Sequence, residues 1–188
     1  MKRRILALLS VLALVALVVP AAVFAANTGT VSCTVSAQGL VSVTVTPGSV
    51  AYGTVALNTY KNTAQYDATN NPSGMATPQT QTITNTGNVN EDFDIKTSNA
   101  VGATNWSLTP STPTHDEFSH FYFVSTTAYN GTGTPMFIAF TWPDTNVEVA
   151  TNVVPEGVRY LELLITMPGS TADTGNHTIT VTVLATQH

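Results

Sequence analysis

Apolar and polar residues alternate along most of the chain beyond residue 30, and this pattern constrains the fold more than any other feature. Val41, Val43 and Val45, for example, are separated by Ser42 and Thr44. The same period recurs in segments that contain Phe93 and Ile95, then Leu161, Leu163 and Ile165, and finally Ile179, Val181 and Val183. Successive residues of a β-strand point to opposite faces, so each segment is typical of a half-buried antiparallel strand. The chain is therefore predicted to be all-β.

Turn-forming pairs divide these segments. Asn130-Gly131 lies between the aromatic run 121–123 and the apolar segment 136–142, which predicts a hairpin. Four residues of that segment, Met136, Ile138, Phe140 and Trp142, are expected to share one face, with Trp142 in the core. Residues 60–77 and 109–117 are predicted to be exposed loops. Seven to nine short strands with this spacing predict one antiparallel β-sandwich over residues 39–188.

The first 25 residues have the composition of a secretory signal peptide. Lys2, Arg3 and Arg4 precede an apolar run at 5–19, and small residues follow around Ala25, where cleavage is expected. A retained membrane anchor is the alternative, but the run is shorter than the ~20 residues that span a bilayer. The mature protein is therefore expected to be secreted, extracellular or on the cell surface, with no membrane contact after signal cleavage.

The low charge of the chain excludes several classes of function. Only 9% of its residues are charged, against about 25% in an average soluble protein. After cleavage, three cations (Lys61, Lys96 and Arg159) remain against 11 carboxylates, which gives a net charge of −8. Three scattered cations cannot hold a nucleic-acid backbone or an anionic lipid surface. Nucleic acid is therefore excluded as a partner.

Residues 26–38 form an extension before the predicted sandwich. Within it, Val31, Cys33 and Val35 alternate with polar residues, which predicts a peripheral strand over residues 29–37. Such a strand can pair within its own domain, or it can complete the open sheet edge of a neighbouring copy and so build fibres. Cys33 is the only cysteine, so no intrachain disulfide can form. It is expected to be a buried free thiol, with intermolecular pairing and lipid attachment as alternatives.

Two polar clusters contain residue types that could form a chemical site. His115 and His120 are five residues apart, which does not match a zinc-protease helix, and the segment is predicted to be an exposed loop. Glu91, Asp92 and Asp94 carry oxygen ligands that suit calcium. Their spacing matches no calcium loop, so a solvated strand face is expected instead. The sequence predicts no cofactor, no metal and no enzyme activity.

Trp106 is the candidate for an exposed aromatic contact, because it stands alone between turn signals. A tryptophan on a surface can stack on a sugar ring. Packing in the core or at its rim is the other interpretation, and it is the favoured one.

Five segments together resemble a known family. VSVTVTP (41–47), VAYGTV (50–55) and TITNTGN (82–88) resemble the opening half of secreted bacterial immunoglobulin-like domains of the ASH/HYDIN type, and LELLITM (161–167) and HTITVTVLA (177–185) resemble the closing half. The resemblance covers about residues 39–186, excepting the 60–77 insertion and the aromatic-rich region 118–142. It implies an immunoglobulin-like sandwich with a binding, spacing or assembly role, although a fold alone does not fix a function. The layout is also similar to that of the TasA/camelysin group of fibre-forming matrix proteins.

Three hypotheses of function follow. The first is a non-catalytic structural protein that self-associates by strand pairing into a cell-surface filament or extracellular matrix. The second is a monomeric extracellular binding or adhesion module for a surface protein or glycan. The third is a secreted hydrolase that uses the region of His115 and His120.

Overall fold

The structure is a computed structural model that describes residues 32–188. The chain divides into two compact units, Met1–Ala37 and Gln38–His188, and every strand assigned in the described range lies in the second. No helix in this range is long and apolar enough to cross a membrane. The strands are β1 (Val43–Thr46), β2 (Tyr60–Asn62), β3 (Gln81–Asn85), β4 (Glu91–Thr97), β5 (Ser107–Leu108), β6 (Glu117–Ser125), β7 (Ile138–Ala139), β8 (Val147–Val153), β9 (Val158–Thr166) and β10 (Val181–Gln187).

The strands form two sheets. The larger has the order β1-β3-β9-β6-β5, with β2 paired to β9 and β7 paired to β6. Strand β9 lies at its centre, because β3 and β2 pair with successive parts of β9 and β6 pairs along almost all of it. The smaller sheet has the order β10-β4-β8. The prediction of an all-β architecture with two sheets is confirmed.

The strand order does not confirm the immunoglobulin-like arrangement. In an immunoglobulin sandwich the last two strands are neighbours in one sheet. In this chain β9 lies in the larger sheet and β10 in the smaller. The connection between them therefore crosses from one sheet to the other.

The core follows the alternation seen in the sequence. In β4, residues 91, 93, 95 and 97 are buried, whereas Asp92, Asp94 and Lys96 are half-buried on the other face. Lys96 Nζ lies 3.9 Å from Asp144 Oδ1. The inward residues of β4 meet those of the larger sheet, and the shared core includes Ile83, Phe93, Ile95, Phe118, Leu161, Leu163 and Ile165.

The prediction that residues 60–77 form an exposed loop is wrong. They include β2, and Thr63 Oγ1 donates a 2.6 Å hydrogen bond to Glu162 Oε2. Glu162 alternates with Leu161 and Leu163, so its side chain lies on the outer face of β9, where it is buried. Thr80 Oγ1 donates to the other carboxylate oxygen at 2.6 Å. These polar side chains can be buried because they form hydrogen bonds with one another. A prediction of exposure that is based on hydrophobicity alone does not detect such bonds.

The predicted hairpin around Asn130-Gly131 is present, since β6 and β7 are antiparallel with Tyr122 opposite Ile138. The expectation of one buried apolar face over 136–142 is wrong. Phe140 is buried, but Met136, Ile138 and Trp142 are exposed. Strand β7 is only two residues long and lies at a sheet edge, so the alternation of faces does not persist through the segment.

Candidate functional site

A cleft of about 920 Å³ lies between the two sheets. Its apolar lining comes from β1, β9 and β10, through Val43, Val45, Leu161, Leu163, Ile165, Val181 and Val183. Protein interiors are close-packed, with few voids larger than a water molecule. A cleft of this size falls in the range of roughly 300–1,000 Å³ that is typical of ligand sites. It is therefore the first candidate for a functional site.

Two open sheet edges border the cleft. Within the described residues, β1 is paired only with β3, and β10 only with β4. β1 and β10 also approach each other across the sandwich. An unpaired edge presents backbone N–H and C=O groups to a further strand. The cleft thus combines an apolar lining with free backbone hydrogen-bonding groups.

His120 is a polar residue in this lining, only 2% exposed. Its Nδ1 lies 2.9 Å from Thr97 Oγ1, and its Nε2 has no hydrogen-bond partner within the described residues. Burial lowers the pKa of His120 to about 3, so the imidazole is neutral near pH 7. An unpaired buried nitrogen costs about 1–3 kcal/mol. An occupant of the cleft that supplied a polar atom would remove this cost.

Tyr52 provides a second unpaired polar atom in the lining. Its hydroxyl is buried without a partner among the described residues. Burial, and secondarily the charge of Glu162, raises the pKa of Tyr52, so the hydroxyl stays protonated. The lining contains no Asp, Glu, Lys or Arg. The cleft is therefore suited to an uncharged, mainly apolar occupant with some hydrogen-bonding groups.

Of the three predicted assembly residues, Val31 lies outside the described residues. Cys33 and Val35 are exposed, and residues 32–37 form no strand. The expectation of a buried Cys33 thiol is wrong, because Cys33 is exposed and residues 32–37 form no strand that could bury it. Val35 is 98% exposed. A fully exposed valine would gain about 1.5–3 kcal/mol on burial.

Trp106 is buried, so its prediction as an exposed contact residue is wrong. Only 4% of it is exposed. The indole stacks on the His177 imidazole with ring centroids 3.6 Å apart, and Nε1 donates a 2.9 Å hydrogen bond to Thr171 Oγ1. A bridge between Ala100 and Trp106 turns the side chain inward. Trp106 thus packs at the core, as the favoured interpretation predicts.

The two histidines of the predicted exposed loop have different environments. His115 is exposed, as expected, but His120 lies in β6 and is buried. His115 Nδ1 lies 3.0 Å from Ser170 Oγ, and its Nε2 lies 3.1 Å from Asp116 Oδ2. In a serine-hydrolase triad the serine contacts Nε2 and the aspartate contacts Nδ1, so the two ring nitrogens have exchanged partners here. His115 and Ser170 are both exposed, and neither lines the cleft. Catalysis of this kind needs a site that excludes water, so the arrangement gives little support to a hydrolase.

The acidic residues considered for calcium are engaged in other contacts. Asp92 Oδ1 accepts hydrogen bonds of 2.8 Å from the Asn152 backbone N–H and from His188 Nδ1. The Asn152 bond is the main cause of the lowered pKa of Asp92. Glu91 points into the domain, opposite in phase to Asp92 and Asp94. Within residues 32–188, no group of three or more His, Cys, Asp or Glu side chains is placed to hold a metal ion.

Sequence reasoning did not single out Gln81, and it placed His120 in an exposed loop, although both residues line the cleft. Gln81 starts β3 in the inward phase of Ile83, and His120 lies in the inward phase of Phe118 and Tyr122. Both are polar residues at positions where the alternation predicts an inward-facing apolar side chain. This mismatch is the signal that could have identified them.

No family model, no curated protein and no solved structure matches this chain. The candidate site therefore depends on the geometry of the described residues.

Proposed function

We propose that this chain is a secreted, non-catalytic structural protein, the subunit of a cell-surface filament or extracellular matrix assembled by strand pairing. Residues 29–37 (the donor segment) of one copy would enter the cleft of the next copy. The observation that carries the proposal is the apolar cleft with two open sheet edges, in a chain whose alternating segment 32–37 is exposed outside the sandwich unit.

The chemistry of the donor segment matches that of the cleft. On a strand, Val31, Cys33 and Val35 share one face and span about 14 Å. This apolar face would pack on the valines of β1 and β10, while the serine and threonine residues between them face solvent. Neither residues 26–38 nor the cleft lining contains an Asp, Glu, Lys or Arg. Insertion would therefore bury no unpaired charge, which is the largest cost of forming an interface.

The geometry of such pairing favours a polymer. The donor segment and the cleft are different parts of the chain, so each contact leaves a free donor on one copy and a free cleft on the other. Addition of copies then continues head to tail. Pairing of the donor segment with its own domain is the competing arrangement, and it would give a monomer.

Electron microscopy of the mature chain, residues 26–188, tests the proposal. Negatively stained protein is expected to show filaments, and deletion of residues 26–37 is expected to abolish them while the β-sheet circular dichroism signal persists. The proposal is wrong if the mature chain stays monomeric at high concentration, or if the shortened chain still forms filaments.

A binding or adhesion module is the second candidate function. Trp142 is 65% exposed, and Met136 and Ile138 in the same segment are also exposed. Exposed tryptophans are common in sites that contact sugars and proteins. This candidate predicts a glycan-array signal from monomeric protein that Trp142→Ala removes and Val35→Asp leaves unchanged.

The immunoglobulin-like fold and the ASH/HYDIN and TasA/camelysin resemblances remain predictions, and neither function depends on them.

A further inference from the structure

We propose that residues 48–57 (the strap) cover the cleft of the free subunit and have to leave before a donor segment can enter. This inference rests on the proposed function and adds a self-inhibitory contact to it. All ten residues of the strap line the cleft. They therefore border the space that a donor strand would need.

The strap is held by two glutamine side chains that imitate a strand edge. Gln79 Oε1 accepts a 2.7 Å hydrogen bond from the Ala51 N–H, and Gln79 Nε2 donates at 3.1 Å to the carbonyl of the same residue. Gln81 Oε1 accepts at 2.8 Å from the Gly48 N–H, and Gln81 Nε2 donates at 3.1 Å to the Ser49 carbonyl. Each carboxamide thus copies the paired N–H and C=O groups of a neighbouring strand.

Backbone pairing is absent from this contact. Within the described residues, residues 48–55 make no backbone–backbone hydrogen bond and are assigned to no strand. Lys61 Nζ adds a 2.8 Å bond to the Tyr52 carbonyl. Side-chain hydrogen bonds of this kind each contribute only about 0.5–1.5 kcal/mol. The strap can therefore open without breaking either sheet.

The apolar residues of the strap copy the pattern of the donor segment. Val50 and Tyr52, two residues apart, are half-buried and pack against the core, whereas Ala51 and Gly53 are exposed. The strap is an imperfect occupant, because the Tyr52 hydroxyl is buried without a partner in the described residues. Gly48 and Gly53 have φ angles of 77° and 67°, a backbone region that glycine adopts at no steric cost. These glycines bracket the part of the strap that would move.

Covering the cleft would control the rate of assembly. Only the fraction of subunits with an open strap can accept a donor, so the apparent affinity for the donor falls in proportion to that fraction. Once a donor segment is seated, with a backbone ladder and three apolar side chains, the strap would remain displaced.

Hydrogen exchange of the wild-type mature chain tests the inference. Amides Gly48 and Ala51 are expected to be protected in dilute monomer and to exchange freely in filaments, whereas β4 amides stay protected in both. If filaments form but Gly48 and Ala51 stay protected in them, the strap inference is wrong and the proposed function stands. If no filaments form, both are wrong.

A variant gives a kinetic test of the same contact. Combined Gln79→Ala and Gln81→Ala removes four hydrogen bonds of the strap and should speed nucleation of filaments about tenfold or more. Gln65→Ala is the matched control, because Gln65 neither lines the cleft nor lies on β1 or β10, and this variant should assemble like wild type. Gln81 is buried, so Gln79→Ala alone serves if the double variant does not fold, with a smaller acceleration expected. Assembly of the folded variant at the wild-type rate would overturn the inference.

Discussion

His120 on β6 and Thr97 on β4 connect the two sheets through a hydrogen bond of 2.9 Å between Nδ1 and Oγ1. Both residues are buried. The imidazole also packs near the Phe118 and Phe140 rings, with centroids 6.3 Å and 5.4 Å away. A neutral histidine therefore lies between the sheets, beside the cleft where we propose that assembly occurs.

Acidification is expected to destabilise the domain through His120. Its pKa falls from 6.5 in the unfolded chain to about 3 in the folded domain, so below pH 6.5 the unfolded state binds the extra proton. The contribution of His120 to the free energy of unfolding is therefore most favourable above pH 6.5, and it decreases as the pH falls from 6.5 towards 3. Between pH 7 and pH 5 the free energy of unfolding should fall by about 2 kcal/mol from this residue. Urea unfolding at both pH values measures it.

His120→Asn is the comparison for that measurement, since its amide can still bond Thr97 but has no proton to gain. The variant should lose most of the stability change between pH 7 and pH 5. The pKa values of three carboxyl groups, those of Asp92, Asp116 and Asp173, are lowered. These groups therefore change the free energy of unfolding at more acidic pH than His120 does. An equal decrease in wild type and variant would contradict the assignment to His120.

The donor segment predicts a difference between adjacent residues. Val35→Asp places a charge on the face that would enter the cleft, so filaments should disappear while the domain stays folded. Thr34→Asp places the same charge on the opposite face and should assemble nearly as well as wild type. Sedimentation of polymer separates the two outcomes. Equal effects of the two substitutions would mean that no particular face of the segment is buried.

The two tryptophans are expected to differ in their effect on stability. Trp106→Ala removes a buried ring and its hydrogen bond to Thr171, so it should cost about 3–5 kcal/mol. Trp142→Ala removes an exposed ring and should change stability by no more than about 0.5 kcal/mol. Chemical denaturation of both variants checks this. A large loss for Trp142→Ala would show that its surroundings differ from those described above.

Alternation alone predicted the strands that are buried on one face. Burial alternates without exception over residues 91–97 of β4. In β9, the inward residues Leu161, Leu163 and Ile165 are buried as the alternation predicts, but Glu162 on the outer face is buried too. Strand β8 was not predicted, because its pairing with β4 shifts register near Phe93 and breaks the period of two. The core position expected for Trp142 is wrong for a related reason: this residue lies near the two-residue strand β7, where tertiary contacts decide which way a side chain points.

The cleft could not be predicted from the sequence. In the sequence, nothing distinguishes the four valines of its lining from other strand residues: Val43, Val45, Val181 and Val183. The space between them exists only because β1 and β10 are the open edges of two facing sheets. The segment that we propose as the donor could be chosen from the sequence, because its alternation precedes the predicted sandwich. Its acceptor depends on strand order, which local patterns do not encode.

The central claim is that the donor segment of one copy enters the cleft of the next copy. Mixing two blocked variants, each of which lacks one half of this contact, tests the claim most directly. Val35→Asp removes the donor and keeps the cleft, whereas Val183→Lys blocks the cleft and keeps the donor. Thr182→Lys, on the other face of β10, is the control and should still polymerise.

In analytical ultracentrifugation, each blocked variant alone should be a monomer, and an equal mixture should form a one-to-one dimer that grows no further. Monomers alone in the mixture, under conditions in which wild type polymerises, would contradict donor-segment insertion. Polymerisation of either blocked variant by itself would contradict it equally.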